Sequence, residues 1–278
     1  MAKVKKPKGE MSFLDHLEEL RWVLVRCSAA VVTMGIVSYF FADYIFTDLI
    51  FGPTDPSFIT YRFFCDASHY LGFADSICIT ELNFIIQNTE MEGQVNIFVW
   101  ICITSGFILA FPYILWEFWK FISPALYEKE RKGAKVFIFV ASILFFLGVL
   151  FGYYVIVPMT VNFLATFSIS SVVKNQFSID SYVSMVKTAV IASGLYFELP
   201  IIIYFLTKLG LVGPAFLRKY RKYGIVIILI IAAIVTPPDV VSQITVALPM
   251  WFIYEASIWI SAVVEKNKKK DEQASRGV

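Results

Sequence analysis

Apolar runs dominate the chain, and polar residues gather in the gaps between them. Six runs stand out: Trp22–Phe41, Val95–Phe118, Val136–Val157, Val183–Leu206, Tyr223–Val235 and Val240–Val264. A helix needs about 20 residues to cross the hydrocarbon core of a bilayer. Five of the runs meet that length. The fifth in order has 13 residues, about 20 Å of helix. It must stand nearly upright, sit in thinned lipid, or form a re-entrant segment instead. The pattern predicts an all-α polytopic membrane protein with six transmembrane helices.

Composition supports this. Of the 278 residues 58 % are hydrophobic and 17 % charged, and the mean hydropathy is +0.69. A soluble domain is about half apolar and about a quarter charged, so a water-soluble core is excluded, as are disordered and collagen-like classes. The first run is read as a retained helix, since the bulky Tyr39-Phe40-Phe41-Ala42-Asp43 offers no small-residue cleavage site.

Charge sets the orientation. Of the 24 Lys and Arg, 21 lie in the N-terminal tail and first turn, after runs two and four, or in the C-terminal tail. Only Arg62, Lys174 and Lys187 fall on the other side. The positive-inside rule puts both termini in the cytoplasm, as an even span number requires. Residues 1–11 read as a basic cytoplasmic tail, 12–264 as the membrane domain, and 265–278 as a charged cytoplasmic tail. The outside cap, 43–94, is acidic and aromatic, and short helices are expected in it, one near Ile77–Asn88. Cys65 and Cys78 share this cap and either pair across it or stay free. Cys27 and Cys102 sit in apolar runs and read as packing residues. The second outside loop, 158–182, is expected to be irregular in its middle.

Acids inside the apolar runs are the sharpest feature. Glu198 lies deep in the fourth run, two residues before Pro200. A carboxylate there faces protein or a wet cavity rather than lipid, and Pro200 should bend the helix. Contact with a ligand or proton is one reading; a structural hydrogen bond to another helix is the other. Glu255 resembles it, mid-way in the sixth run. Glu117, among Trp116, Phe118 and Trp119, reads as an interfacial anchor. Asp239, in Thr236-Pro237-Pro238-Asp239, is placed to cap the sixth helix, with Gln243 near the same edge. Before the first run, Phe13, Leu17 and Leu20 form one stripe of a short amphipathic helix capped by Ser12. Glu18 and Glu19 lie on it, and Glu128 and Glu130 follow the second run. Two acidic patches on one face suit a ligand with paired arginines, because guanidinium groups bond carboxylates bidentately. No phosphate loop, dinucleotide fingerprint or metal-ligand spacing is present, and two His cannot build a multi-His site.

Several segments together resemble one family. His16-Leu-Glu-Glu-Leu-Arg21, Phe121-Ile-Ser-Pro-Ala-Leu-Tyr-Glu-Lys-Glu-Arg131, Phe197-Glu198-Leu-Pro200, Thr236-Pro-Pro-Asp-Val-Val-Ser-Gln243 and Leu248-Pro249-Met250 are similar to the TatC subunit of the twin-arginine protein translocase. The resemblance implies six helices in a curved, glove-like wall with a concave groove, in the bacterial cytoplasmic (inner) membrane. It implies a receptor for twin-arginine signal peptides that recruits single-span TatA/TatB-type subunits and other copies of itself. Folded cargo then crosses the membrane on the proton-motive force, with no enzyme activity, no cofactor, no metal and no nucleic acid. By motif, Glu19 and Glu130 hold the arginine-recognition surface, Phe121 lies beside it, and Arg21 shapes it. Glu198 becomes the polar contact in the groove, and Asp239 and Gln243 belong to the outer end of the wall. The competing reading is an ion-coupled small-molecule transporter with Glu198 and Glu255 as midplane sites.

Overall fold

The structure, a computed structural model, describes residues 13–70, 78, 82, 84–122, 134–170, 174–236 and 240–276. Among the described residues the regular structure is helix, apart from one two-stranded sheet. Helix α1 spans Phe13–Phe40. The expected amphipathic helix is not separate from it, because no proline falls between Phe13 and Phe40 and the helix runs straight on. Short helical turns over 42–54 lead to α2, Ile59–Tyr70. Strand β1, Ile85–Gln87, precedes α3, Gly93–Ile122. Helix α4, Ala134–Phe151, passes through a π-helical turn, Gly152–Ile156, into α5, Val157–Thr166. Strand β2, Gln176–Ser178, precedes α6, Ile179–Phe197, and α7, Leu199–Lys208. Helices α8, Pro214–Lys219, α9, Arg221–Val235, and α10, Val240–Arg276, complete the order.

Among the described residues, five helical stretches are long and apolar enough to cross a membrane: His16–Phe40, Gly93–Ile122, Val136–Thr166, Ile179–Lys208 and Ser242–Lys270. Their side chains make a lipid-facing surface. Val32, Ile36 and Phe40 on α1 are 61 %, 57 % and 76 % exposed, which water would penalise heavily. The chain is a multi-pass membrane protein. Helix α9 has 15 residues, about 22 Å at 1.5 Å per residue, and stays short of a full span. Helix α10 carries the expected C-terminal tail as continuous helix to Arg276.

Two expectations are corrected. The described end of 77–88 is strand, not helix: Ile85, Ile86 and Gln87 pair in parallel with Gln176, Phe177 and Ser178. The β-branched Ile85 and Ile86 suit a strand, and residues 176–178 supply its backbone partners. The segment from residue 158, expected as loop, also begins as helix. Pro158 follows closely on the π-helical turn, and the carbonyl four residues before it, Tyr154 O, takes a hydrogen bond from Thr60 Oγ1 at 2.6 Å instead, so the helix continues to Thr166.

The described residues fall into two compact units, one over 13–42 and 99–142, the other over 43–98 and 143–276. In the first, α1 and α3 cross at glycines. A Cβ built on Gly106 would lie 2.5 Å from Val31 O and 2.6 Å from Gly35 N. Below this crossing Val23, Cys27, Ala110 and Ile114 form a core, against which Phe107 and Phe121 pack. In the second, α4 and α6 meet in the same way, with Gly148 against Ser193 and Gly194. Small residues let helix backbones approach where lipid provides no hydrophobic drive.

Tyrosines fasten the second unit. The Tyr182 hydroxyl donates to Ile50 O (2.6 Å), Tyr196 to Met250 O (3.0 Å) and Tyr254 to Leu217 O (3.0 Å). The Tyr61 hydroxyl, outside the spans, shares its proton between Pro53 O and Pro158 O, and burial pushes its pKa well above the usual phenol range. Cys65 and Cys78 are disulfide-bonded, closing 13 residues of sequence. A loop of that length constrains the unfolded cap by about 3 kcal/mol in the chain-entropy view. Reduction, or Cys65→Ser, should therefore speed protease cleavage within the cap severalfold, as followed by limited proteolysis. Equal cleavage rates in oxidised and reduced protein would show that the bridge restrains nothing.

Candidate functional site

The first unit gathers a charged and aromatic cluster where the start of α1 meets the end of α3. His16 stacks on Phe121, ring centroids 4.3 Å apart. One turn further along α1 lies Glu19, half-buried, whose buried Oε2 receives no donor among the described residues. Arg21 is exposed. One turn before Phe121 on α3 lies Glu117, only 1 % exposed. Lys120 Nζ donates to Glu117 Oε1 at 2.9 Å, and Arg26 Nε lies 3.4 Å from Oε2. Tyr113 hydrogen-bonds the same carboxylate. Glu117 is thus more than an interfacial anchor: it is a buried anion shared by two cations.

Depth along the helices can be compared. Glu19 follows His16 by three residues, about 4.5 Å of rise, and Glu117 precedes Phe121 by four, about 6 Å. With His16 stacked on Phe121, the two carboxylates stand at nearly the same level on the facing helices. Glu130 lies outside the described residues.

The second unit holds the other acids, and each has a different environment. Glu198 sits at the break between α6 and α7, with φ −76° and ψ −9°. Its N–H reaches Leu195 O at 3.2 Å, a tightened turn, and Pro200 opens α7. The expected bend falls where the proline removes a helical bond. Glu198 is 6 % exposed, and its Oε1 has no donor among the described residues. Gln243 Nε2 donates to Leu229 O at 3.2 Å, joining α10 to α9. Asp239 lies outside the described residues.

Glu255 departs from expectation. Arg221 Nε lies 2.8 Å from its Oε1, and Arg221 Nη2 donates to Oε2 at 2.9 Å. Arg221 is the first residue of α9, so this pair ties the start of α9 to α10. A bridge of this kind gives Glu255 a cation of the chain itself as partner.

These features lie on a chain whose residues 15–249 match the family model for Sec-independent protein translocase protein (TatC). The chain belongs to the TatC family. Similar relatives include the Sec-independent protein translocase protein TatC of Blattabacterium, 43 % identical over 95 % of this chain and 100 % of the relative. TatCy of Bacillus subtilis is 34 % identical over 97 % of this chain and 96 % of its own. A crystal structure of the twin arginine translocase receptor TatC superposes with a TM-score of 0.69 and 31 % identity, covering 90 % of this chain and 99 % of that one.

Within this TatC-family chain, sequence reasoning singled out Glu19, Phe121 and Glu198 but missed the partners that define their surroundings. Arg26 reads in sequence only as an interruption near the start of a span. Its N–H group bonds Trp22 O one turn back (3.2 Å), which turns the guanidinium toward Glu117. The available signal was spacing: Tyr113, Glu117, Lys120 and Phe121 recur at three and four residues, one face of a helix. Arg221 carried no such hint, because its partner is 34 residues away.

Proposed function

We propose that this chain is the receptor and core subunit of a twin-arginine translocase. It spans the bacterial cytoplasmic membrane six times, with both termini in the cytoplasm. It binds Arg-Arg signal peptides at the cytoplasmic face through Glu19 and Glu130, with Phe121 beside them and Arg21 shaping the surface. Glu198, Gln243 and Asp239 contact the apolar part of the peptide or a partner helix. Single-span TatA/TatB-type subunits and further copies of the chain complete the machine, which moves folded proteins and breaks no bond.

The observation that carries the reading is Glu19. A half-buried carboxylate oxygen without a described donor, beside a stacked aromatic pair, is a site waiting for a cation. A guanidinium fills it better than an ammonium, since its planar fork bonds both oxygens. That difference separates Arg-Arg from Lys-Lys peptides of equal charge. The positive-inside distribution supports the cytoplasmic location of this end.

Binding of solubilised protein to an Arg-Arg signal peptide, with the Lys-Lys version as control, tests the reading. Wild type should prefer Arg-Arg. Glu19→Ala and Glu130→Ala should each weaken it roughly 10- to 100-fold, the worth of a charge-assisted hydrogen bond. Equal binding of both peptides, indifferent to both substitutions, would refute it. Saturable solute uptake by this chain alone would favour the transporter instead.

A further inference from the structure

Glu117 belongs to no part of the function proposed above, yet it is among the largest fully buried side chains in the protein. Its environment is asymmetric. The carboxylate side chain is 2 % exposed, whereas those of Lys120 and Arg26 are 51 % and 46 % exposed. The two cations face outward and the anion sits behind them. Phe121 follows Glu117 by one turn, and Glu19 stands at nearly the same level on the facing helix. The surface that would accept two arginines therefore carries, besides the exposed Arg21, two further positive charges of its own.

Unopposed, those charges would repel the ligand. We propose that Glu117 is a positioning residue for the arginine site, acting through charge: it neutralises Lys120 and Arg26 and keeps the neighbourhood of Glu19 attractive to a dication. This inference rests on the receptor reading. It assigns Glu117 no contact with the peptide. The geometry explains why a carboxylate is needed. Tyr113 and Lys120 hold it in place, while Arg26 Nε stays at 3.4 Å, an ion-pair distance beyond good hydrogen-bond geometry. Its link to Arg26 is electrostatic, so an isosteric neutral side chain preserves the packing and loses only the charge.

The test uses the full chain in detergent, with Arg-Arg and Gln-Gln signal peptides as probes. Glu117→Gln should weaken Arg-Arg binding on the order of 10-fold, the effect of one unit charge at about 10 Å in a medium of effective dielectric about 20. Gln-Gln binding should stay unchanged. The deficit should shrink toward unity as salt rises from about 0.1 M to about 1 M, where the Debye length falls to about 3 Å. Adding Arg26→Gln and Lys120→Gln to Glu117→Gln should restore Arg-Arg affinity to within about twofold. A residue that only held the fold would show none of this rescue. Wild-type affinity in Glu117→Gln overturns the proposal, and so does a triple variant as weak as the single. The proposal falls alone if wild type prefers Arg-Arg and Glu19→Ala weakens it while Glu117→Gln does nothing. Wild type without an Arg-Arg preference sinks the receptor reading, and this inference with it.

Discussion

Glu198→Met is expected to fold at least as stably as wild type and to transport at no more than about a tenth of the wild-type rate. The stability half follows from burial. Glu198 is 6 % exposed, and its Oε1 meets no donor among the described residues. An unmet buried acceptor costs about 1–3 kcal/mol, and replacing a buried charged group by an apolar one of similar size is often neutral or stabilising. Methionine has nearly the same length and fills irregular space well. Stability therefore does not account for an acid at this bend. The transport half follows from the proposed contact in the groove, since a tenfold loss needs only about 1.4 kcal/mol. Arg-Arg peptide affinity should fall as well where Glu198 meets the apolar part of the peptide, and remain within about twofold where it meets a partner helix. Export of a folded reporter and the thermal midpoint of the solubilised protein check the two halves. Wild-type export would make Glu198 a passenger. A steep fall in midpoint would mean that the carboxylate holds the bend together.

Gly106→Leu should leave almost no folded protein in the membrane. The Cβ of any side chain there would meet Val31 O at 2.5 Å, Gly35 N at 2.6 Å and Gly35 Cα at 2.9 Å. All three are backbone atoms of α1, so no rotamer change relieves the contact. Overpacking in a core costs about 1–3 kcal/mol when side chains can yield, and more is expected where a whole helix must move. Parting α1 from α3 would also open the core of Val23, Cys27, Ala110 and Ile114. Gly35→Ala is the graded control: its Cβ would lie 3.2 Å from Cys102 O, a contact that a small shift accommodates. Membrane-fraction abundance should fall below about a tenth of wild type for Gly106→Leu and stay near wild type for Gly35→Ala. Normal abundance of Gly106→Leu would show that the crossing is looser than described.

The membrane architecture was legible because lipid imposes a one-dimensional rule. Length and hydropathy alone mark Val95–Phe118 or Val136–Val157 as spans. The break at Glu198 was legible for a local reason too, as Pro200 removes a bond two residues on. What stayed hidden depends on partners distant in sequence. Three residues at 85–87 carry no strand signal of their own until 176–178 lie beside them. Glu255 reads as an isolated acid when counted along its own apolar run, and only the fold brings Arg221 at the start of α9 to it. Arg26 and Lys120 look like ordinary interfacial bases, because nothing local reveals that one buried carboxylate serves both.

The tyrosine contacts of the second unit also set an order in time. That unit is discontinuous in sequence, with residues 99–142 of the other unit synthesised between its two parts. Ile50 O receives its proton from Tyr182, 132 residues later, and Thr60 bonds Tyr154 O, 94 residues later. A ribosome adding about 5–20 residues per second reaches Tyr182 about 7–26 s after Ile50. Throughout that interval the first cap has emerged without the partners that fold it. Its eight acids, against the single base Arg62, keep an aromatic segment soluble during the wait, and the Cys65–Cys78 bridge is a link made from this segment's own residues, needing nothing from α4, α5 or α6.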